Sequence, residues 1–263
     1  MRGWWQDLSD LVLPAQCAGC GRSRTALCTR CSAALCGSVS SRVRPRPEPQ
    51  GLPVVHAAAP YRDAVRAVLL AHKERGALGL AGPLGAALAG AVREGLTPER
   101  GEGPGSGVVA LVPVPSAPGA VRARGHDPMR RIAYAAAAEL RRAGVPARVL
   151  AVLRQRRAVA DQSALDARQR LANVTGALEA AGGSGGLLAE VGRIVLVDDL
   201  MTTGASMAEA ARAIGALTRS ESGSGQGGAG RERCAADPEI AGPSGVLGAV
   251  IAASPDSFEI NRN

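Results

Sequence analysis

Residues Val195 to Ser206 read Val-Leu-Val-Asp-Asp-Leu-Met-Thr-Thr-Gly-Ala-Ser and predict a strand, a turn and a helix. The apolar run from Ile194 to Val197 is typical of a buried parallel strand. Asp198 and Asp199 follow where that strand is expected to end. A turn of small residues then leads into a helix predicted at about 207–217. This order is the repeating unit of an α/β fold.

The turn Thr202-Thr203-Gly204-Ala205-Ser206 has the composition of an anion-binding loop. Its backbone N–H groups and three hydroxyls can point at one phosphate, and the helix that follows adds the positive end of its dipole. The two carboxylates before it suit the vicinal hydroxyls of a ribose. A structural alternative exists, since Asp-Asp can cap a helix and Thr-Gly-x-Ser is a common turn. The order of all four features favours a sugar-phosphate site.

Taken whole, the segment resembles the loop that binds 5-phosphoribosyl 1-pyrophosphate (PRPP) in type I phosphoribosyltransferases. The resemblance implies that Asp198 and Asp199 hold the ribose 2′- and 3′-hydroxyls. It also implies that the 5′-phosphate is cradled by Thr202, Thr203, Gly204, Ala205 and Ser206.

Length and composition restrict the class of protein. A chain of 263 residues is enough for one domain of ordinary size with a small appendage, and an apolar fraction of 46% supports a globular protein. A net charge of +8 suggests an anionic partner. Lys73 is the only lysine among 31 basic residues, so the charge reflects arginine usage and supports DNA binding only weakly. Aromatic residues, at 2%, are too few for a protein that stacks many single-stranded bases.

No stretch of the sequence is expected to span a membrane. The uncharged run from Gly76 to Val92 is short, contains Pro83 and is rich in alanine. Asp7 and Asp10 interrupt the apolar N-terminus before a secretion signal is complete. We therefore expect a cytoplasmic protein.

Two Cys-x-x-Cys knuckles, Cys17 with Cys20 and Cys28 with Cys31, have the spacing of a four-sulfur metal site. This is the tetrahedral shell that Zn²⁺ prefers in structural sites, and metal binding would fold a segment too small to fold alone. A pair of disulfides is disfavoured, because nothing else indicates an oxidising compartment. Cys36 could replace Cys31, but we expect it to be a free thiol.

The chain divides into a zinc-binding module at 1–42, a proline-rich linker at 43–53 and a main domain at 54–263. Strands alternate with helices in the main domain, which predicts a mostly parallel sheet with helices on both faces. A Gly/Ser-rich insert at 220–245 is expected to be disordered, and 182–186 to be a loop. The other predicted strands are 52–59, 108–114, 147–150 and 246–253, and the other predicted helices are 61–73, 80–93 and 128–143.

Three further groups of residues suit a pyrophosphate. Ser116 follows a predicted strand in a rigid Pro-Val-Pro-Ser turn, where it could offer a hydroxyl and an amide. Arg122 and Arg124 could close over the pyrophosphate, because a guanidinium matches two oxygens at once. Lys73 would add a compact positive charge. The structural alternatives are a plain strand end for Ser116 and a solvated surface position for either arginine.

In their order along the chain, these motifs resemble the ComF family, which joins a double-knuckle zinc module to a type I phosphoribosyltransferase domain. That family is associated with natural competence and DNA uptake. One departure is Gly125-His126-Asp127-Pro128, where the resemblance leads us to expect an Asn-Gln pair after Arg-Gly-Phe. The motifs outside the loop and the cysteines are His72 to Gly76, Val112 to Pro115, Arg122 to Gly125, and Asp161 to Leu165 with Arg170 and Asn173.

The resemblance implies transfer of a phosphoribosyl group from PRPP, with Mg²⁺ bridging the pyrophosphate and the ribose hydroxyls. Asp198, Asp199 and Arg124 would be the catalytic residues, and Ser116 and Lys73 would help to bind PRPP. The nitrogen that accepts the group and the oligomeric state are left open.

The alternative is a non-catalytic PRPP sensor or scaffold that binds single-stranded DNA or a helicase-like partner of DNA uptake. Gln162, Arg168 and Arg170 could belong to a hood over the second substrate, or could simply start a helix.

Overall fold

The computed structural model describes residues 16–97, 107–157, 169, 173–222 and 245–258. Predictions for Gln162, Arg168, Arg170 and residues 223–244 of the insert lie outside these ranges. In chain order the strands are β1 Ser41–Val43, β2 Val54–Pro60, β3 Val109–Pro113, β4 Ala147–Val149, β5 Leu153–Gln155, β6 Leu178–Ala180, β7 Arg193–Met201 and β8 Val246–Ala253.

Six of these strands form one sheet in the order β1-β2-β8-β7-β3-β4, and only the β1–β2 pair is antiparallel. The central strands are apolar along their length: all five residues of β3 are buried, as are the last six of β8. Such continuous burial is expected where helices cover both faces of a parallel sheet. The predicted mostly parallel α/β fold is therefore confirmed.

Seven helices occur in the described part of the chain. One hydrophobic cluster joins α2, α3 and α5 to one face of the sheet, and a second joins α7 and the β5–β6 hairpin to the other. None of these helices is long and apolar enough to cross a membrane. The helices are α1 Thr29–Cys36, α2 Asp63–Glu74, α3 Ala81–Leu96, α4 Pro118–Arg124, α5 Pro128–Arg142, α6 Ser184–Ala189 and α7 Ala205–Ser222.

Some local structure differs from the sequence-based expectation. Strand β7 continues to Met201, so Asp198 and Asp199 lie within the strand and not after it. The stretch predicted as a loop at 182–186 contains the start of helix α6, whose Leu188 is buried in the core. Arg124 ends the short helix α4, which was not predicted. Glycine-rich sequence concealed both short helices, because glycine lowers the helix signal of its neighbours.

The segment at 43–53, predicted as a linker, packs against the main sheet. Val43 pairs with Val55 of β2, and Val43, Pro45 and Leu52 are buried. A Cβ built on Gly204 would lie 3.1 Å from Leu52 Cδ1 and 3.2 Å from Pro45 Cγ. The segment therefore forms one side of the turn that follows β7.

Helices α3 and α5 approach closely at Gly85. A Cβ built there would lie 2.5 Å from the Cβ of Ala135 and 2.8 Å from the backbone nitrogen of Ala136. Neither neighbour has a flexible end that could move aside. Gly82, on the same helix, would meet nothing within 4 Å.

We predict opposite effects of the same substitution at these two glycines. Gly85→Ala should lower the free energy of unfolding by about 1–3 kcal/mol, because the added methyl forces the helices apart. Gly82→Ala should be neutral or stabilising by up to about 1 kcal/mol, because it only restricts the unfolded chain. Urea denaturation of both variants measures the difference. Equal effects would contradict the close packing at Gly85.

Candidate functional site

A cavity of about 820 Å³ opens at the carboxyl ends of β3 and β7. This edge of a parallel sheet is where ligands bind in open α/β folds. With the exception of Arg122, each residue predicted to contact phosphate, ribose or pyrophosphate contributes to its lining. They are Lys73, Ser116, Arg124, the acid pair Asp198 and Asp199, and the turn from Thr202 to Ser206.

The turn from Thr202 to Ser206 connects β7 to α7 with the geometry of an anion site. Gly204 has a φ of 75°, a left-handed conformation that glycine adopts without strain. Its carbonyl accepts the first helical hydrogen bond, from Ala208 N–H at 2.9 Å. The N–H groups of the first helical turn have no acceptor within the helix, so they are available to an anion.

The acid pair is largely enclosed. Asp199 is 8% exposed, and its backbone N–H donates to Asp198 Oδ1 at 2.8 Å. Asp199 Oδ2 lies 2.8 Å from Lys73 Nζ, so only one of the two carboxylates has a cationic partner. Burial, reinforced by the negative charge of Asp199, raises the pKa of Asp198 to about 8. The raised pKa favours the protonated form of Asp198.

Both cations of the cavity are paired with acidic side chains. The charge of Asp199 raises the pKa of Lys73, which ensures that this ammonium is protonated. Arg124 Nη2 donates to Glu74 Oε1 at 3.0 Å and links α4 to the end of α2. Glu74 had no predicted role, although it follows Lys73 directly in the sequence. Arg122, the other candidate arginine, is exposed on α4 and is not part of the cavity lining.

Two histidines fix the elements that carry these cations. His72 is 1% exposed, and its Nδ1 lies 3.1 Å from the carbonyl oxygen of Ala77. His126 Nδ1 lies 3.0 Å from the carbonyl oxygen of Arg124, and the two imidazole rings meet edge to face at 6.4 Å. His126, where the sequence departs from the ComF pattern, therefore packs beside the cavity without lining it.

One wall of the cavity is mostly apolar and was not predicted. It comes from the antiparallel hairpin of β5 and β6, which is separate from the main sheet. The hairpin region contributes Gln155, Val174, Ala177 and Leu178 to the cavity. Each strand has only three residues, too few for a periodic pattern to be recognised in the sequence.

The four predicted cysteine ligands lie together at the N-terminal end of the described chain. The sulfur atoms of Cys17, Cys20, Cys28 and Cys31 are all within 4.8 Å of one another. A tetrahedral shell with metal–sulfur bonds of about 2.3 Å would place its sulfurs about 3.8 Å apart, so a metal ion fits. Cys28 N–H also donates to Cys17 Sγ at 3.3 Å. This group could hold a metal ion.

Two neighbouring residues define the limits of this cluster. A Cβ on Gly19 would lie 2.7 Å from Cys31 Sγ, so the knuckle requires glycine there. Cys36 is exposed, and its sulfur lies 3.8 Å from the carbonyl oxygen of Pro83. Cys36 is outside the cluster and therefore does not replace Cys31.

No protein-family model matches the chain, and no curated protein matches it. The resemblance to the ComF family therefore rests on the sequence motifs. Of its features, the structure contains the four-cysteine cluster and the mostly parallel α/β sheet.

Substitutions at two cysteines should have different effects on metal content. Cys28→Ser removes a buried member of the cluster and should abolish stoichiometric metal binding. Cys36→Ser should retain one metal ion per chain, as in the wild type. Elemental analysis of the purified proteins measures this. Equal metal content in the two variants would contradict the assignment of the cluster.

The raised pKa of Asp198 predicts a pH-dependent stability. Between the ordinary carboxyl pKa and about 8, the folded protein binds a proton that the unfolded chain has released, so stability decreases as pH rises. Asp198→Asn removes this pH-dependent contribution to the free energy of unfolding. The melting temperature of the variant minus that of the wild type should therefore increase from pH 5 to pH 9. The increase should be about 2–4 °C for each kcal/mol of unfolding free energy that the wild type loses.

Thermal unfolding across this pH range, without Mg²⁺ or PRPP, measures the effect. Asp256→Asn, at an exposed aspartate, serves as the control and should change stability equally at every pH. A pH-independent difference for Asp198→Asn would show that its carboxyl does not hold the proton.

Proposed function

We propose that the protein binds PRPP with Mg²⁺ in the cavity and transfers the phosphoribosyl group to a nitrogen nucleophile. One observation carries the proposal: paired carboxylates, a hydroxyl-rich turn at a helix N-terminus and two cations line the same 820 Å³ cavity. PRPP needs all three groups, because it has a phosphate, a diol and a pyrophosphate.

The 5′-phosphate is assigned to the turn before α7. Backbone N–H groups and the hydroxyls of Thr202, Thr203 and Ser206 are donors there, and the helix dipole favours a dianion. The ribose diol is assigned to Asp198 and Asp199, because ionised carboxylates accept hydrogen bonds from hydroxyls. Ligand binding then requires Asp198 to release its proton or to share it with a hydroxyl.

The pyrophosphate is assigned to Ser116, Lys73 and Arg124. Both cations are held by carboxylates in the ligand-free structure, Lys73 by Asp199 and Arg124 by Glu74. A pyrophosphate would compete for them with several charged oxygens. Because the Lys73 side chain is 37% exposed and Glu74 is more exposed still, this exchange requires no change in the core.

The reaction breaks the bond between ribose C1 and the pyrophosphate oxygen and forms a bond between C1 and the acceptor nitrogen. The electron pair of the broken bond leaves with pyrophosphate, and the proton displaced from the acceptor passes to solvent or to pyrophosphate. Mg²⁺, when bound, neutralises charge on the leaving group. The side chains contribute by holding the diol and the leaving group and by balancing developing charge, as preorganised electrostatics does elsewhere.

The four-cysteine cluster is assigned a structural Zn²⁺. Four thiolates with no open position match the closed shell of such sites. The cluster packs against α2, because a Cβ on Gly19 would lie 3.3 Å from the Cβ of Ala64. Lys73 is at the other end of the same helix, so the ion supports the helix that delivers this cation. With the order of the motifs, this arrangement favours a ComF-like role in DNA uptake.

Calorimetry with Mg-PRPP tests the proposal. Wild type should bind, and Asp199→Asn should weaken binding at least tenfold, or about 1.4 kcal/mol, because it removes a diol ligand and the partner of Lys73. Asp256→Asn is the control and should bind as wild type does. No binding by wild type, or equal binding by Asp199→Asn, would contradict the proposed site.

Pyrophosphate release separates transfer from sensing. With Mg-PRPP and a panel of nitrogen bases, a transferase releases pyrophosphate in an acceptor-dependent manner, and Asp199→Asn does not. Tight binding without release on any acceptor would identify a PRPP sensor. Single-stranded DNA binding that falls steeply with salt would then support the scaffold alternative.

A further inference from the structure

The hairpin wall of the cavity is attached to α7 through a buried acidic side chain that the proposed reaction does not use. Glu209 lies in the second turn of α7, one turn after the phosphate-binding segment, and is 5% exposed. It is not among the residues that line the cavity. A buried carboxylate is costly unless it is paired, so its partners explain its presence.

Glu209 and Arg212 together bind both backbone groups of Leu178. Leu178 N–H donates to Glu209 Oε1 at 3.1 Å, and Arg212 Nη2 donates to the carbonyl oxygen of Leu178 at 3.0 Å. The two side chains also bind each other: Arg212 Nε donates to Glu209 Oε2 at 2.7 Å, and Nη2 donates to Oε1 at 2.8 Å. Two hydrogen bonds thus connect one residue of β6 to one turn of α7, and two more join the side chains that make them.

This contact takes the place of a third strand. Leu178 lies opposite Gln155 in the hairpin, and the neighbouring bond runs from Arg156 N–H to the carbonyl oxygen of Ala177. That pattern turns the N–H and C=O of Leu178 away from β5. They lie on the outer edge of a two-stranded sheet, where backbone groups need other partners. The side chains of α7 provide these partners.

The carboxylate of Glu209 is ionised although it is buried, and the Arg212 side chain beside it is 48% exposed. Burial opposes the charge of Glu209, but hydrogen bonds from Arg212 and from the Leu178 N–H keep the pKa of Glu209 below its ordinary value. The bidentate guanidinium compensates the carboxylate directly. The attachment therefore persists throughout the neutral pH range.

We propose that Glu209 and Arg212 are positioning residues that fix the hairpin wall of the cavity to the helix that starts at its phosphate side. Helix α7 starts in the turn assigned to the 5′-phosphate and holds the strand that presents Leu178 and, across the hairpin, Gln155. A ligand that orders the turn therefore also orders the opposite wall. The inference rests on the proposed function, because it names Mg-PRPP as that ligand.

Hydrogen–deuterium exchange of residues 174–180 with and without Mg-PRPP tests this coupling in the full chain. In wild type, Mg-PRPP should slow exchange of the hairpin at least about fivefold. Glu209→Gln should keep PRPP affinity within about threefold, since Glu209 does not line the cavity, but should lose the slowing. Glu179→Gln is the matched control, because Glu179 pairs with Arg154 at 2.9 Å within the hairpin; it should retain the slowing.

Arg212→Lys provides a second variant that keeps the charge compensating Glu209 but cannot reproduce the fork of hydrogen bonds. It should lose the slowing as Glu209→Gln does, and it replaces that variant if Glu209→Gln does not fold. Slowing equal to wild type in a folded variant that binds PRPP would overturn the inference. The inference would also be overturned if wild type binds PRPP and the hydrogen–deuterium exchange of the hairpin does not change.

Failure of the proposed function can be distinguished from failure of the inference about Glu209 and Arg212. If wild type does not bind PRPP, the function is contradicted, but the ligand-free exchange still tests the attachment. The Leu178 amide should then exchange at least about fivefold faster in Glu209→Gln than in Glu179→Gln. Equal rates would contradict the attachment itself.

Discussion

The ion pair between Lys73 and Asp199, 2.8 Å long, is the interaction on which the cavity depends. The central strand β7 carries two adjacent carboxylates into a largely enclosed edge of the sheet, where two negative charges cannot both be stable. Lys73 balances Asp199, while burial and the charge of Asp199 raise the pKa of Asp198 to about 8. The ligand-free protein thus contains an acid pair at a cost in stability. Acid pairs of this kind are maintained where a ligand uses them.

Residues whose position or role follows from the few residues around them could be predicted from the sequence. The turn at Gly204 needs a left-handed residue between a strand and a helix, and Cys-x-x-Cys spacing constrains two sulfurs to one centre. The position of Ser116 at the cavity was predicted from its place after a buried strand. Each of these signals lies within a few residues of the chain. The parallel sheet was predictable for the same reason, because its strands are continuous apolar runs.

Contacts between distant segments could not be predicted in this way. Arg124 and Glu74 are 50 positions apart, and nothing in either neighbourhood indicates the other. The hairpin was missed because its strands are short and because its outer edge is completed by side chains of α7. The packing of Leu52 and Pro45 on Gly204 was hidden in a proline-rich segment typical of a linker. Tertiary contacts determine these features, and local sequence carries little information about them.

The chemistry of the acid pair also explains a lysine in a chain that otherwise uses arginine. A guanidinium in place of Lys73 could bind Asp198 and Asp199 together through its fork, which would leave both carboxylates ionised and occupied. The ammonium makes its close contact with Asp199, and the pKa of Asp198 stays raised. The Lys73 side chain is 37% exposed and flexible. Lysine therefore balances Asp199 without bridging the two carboxylates.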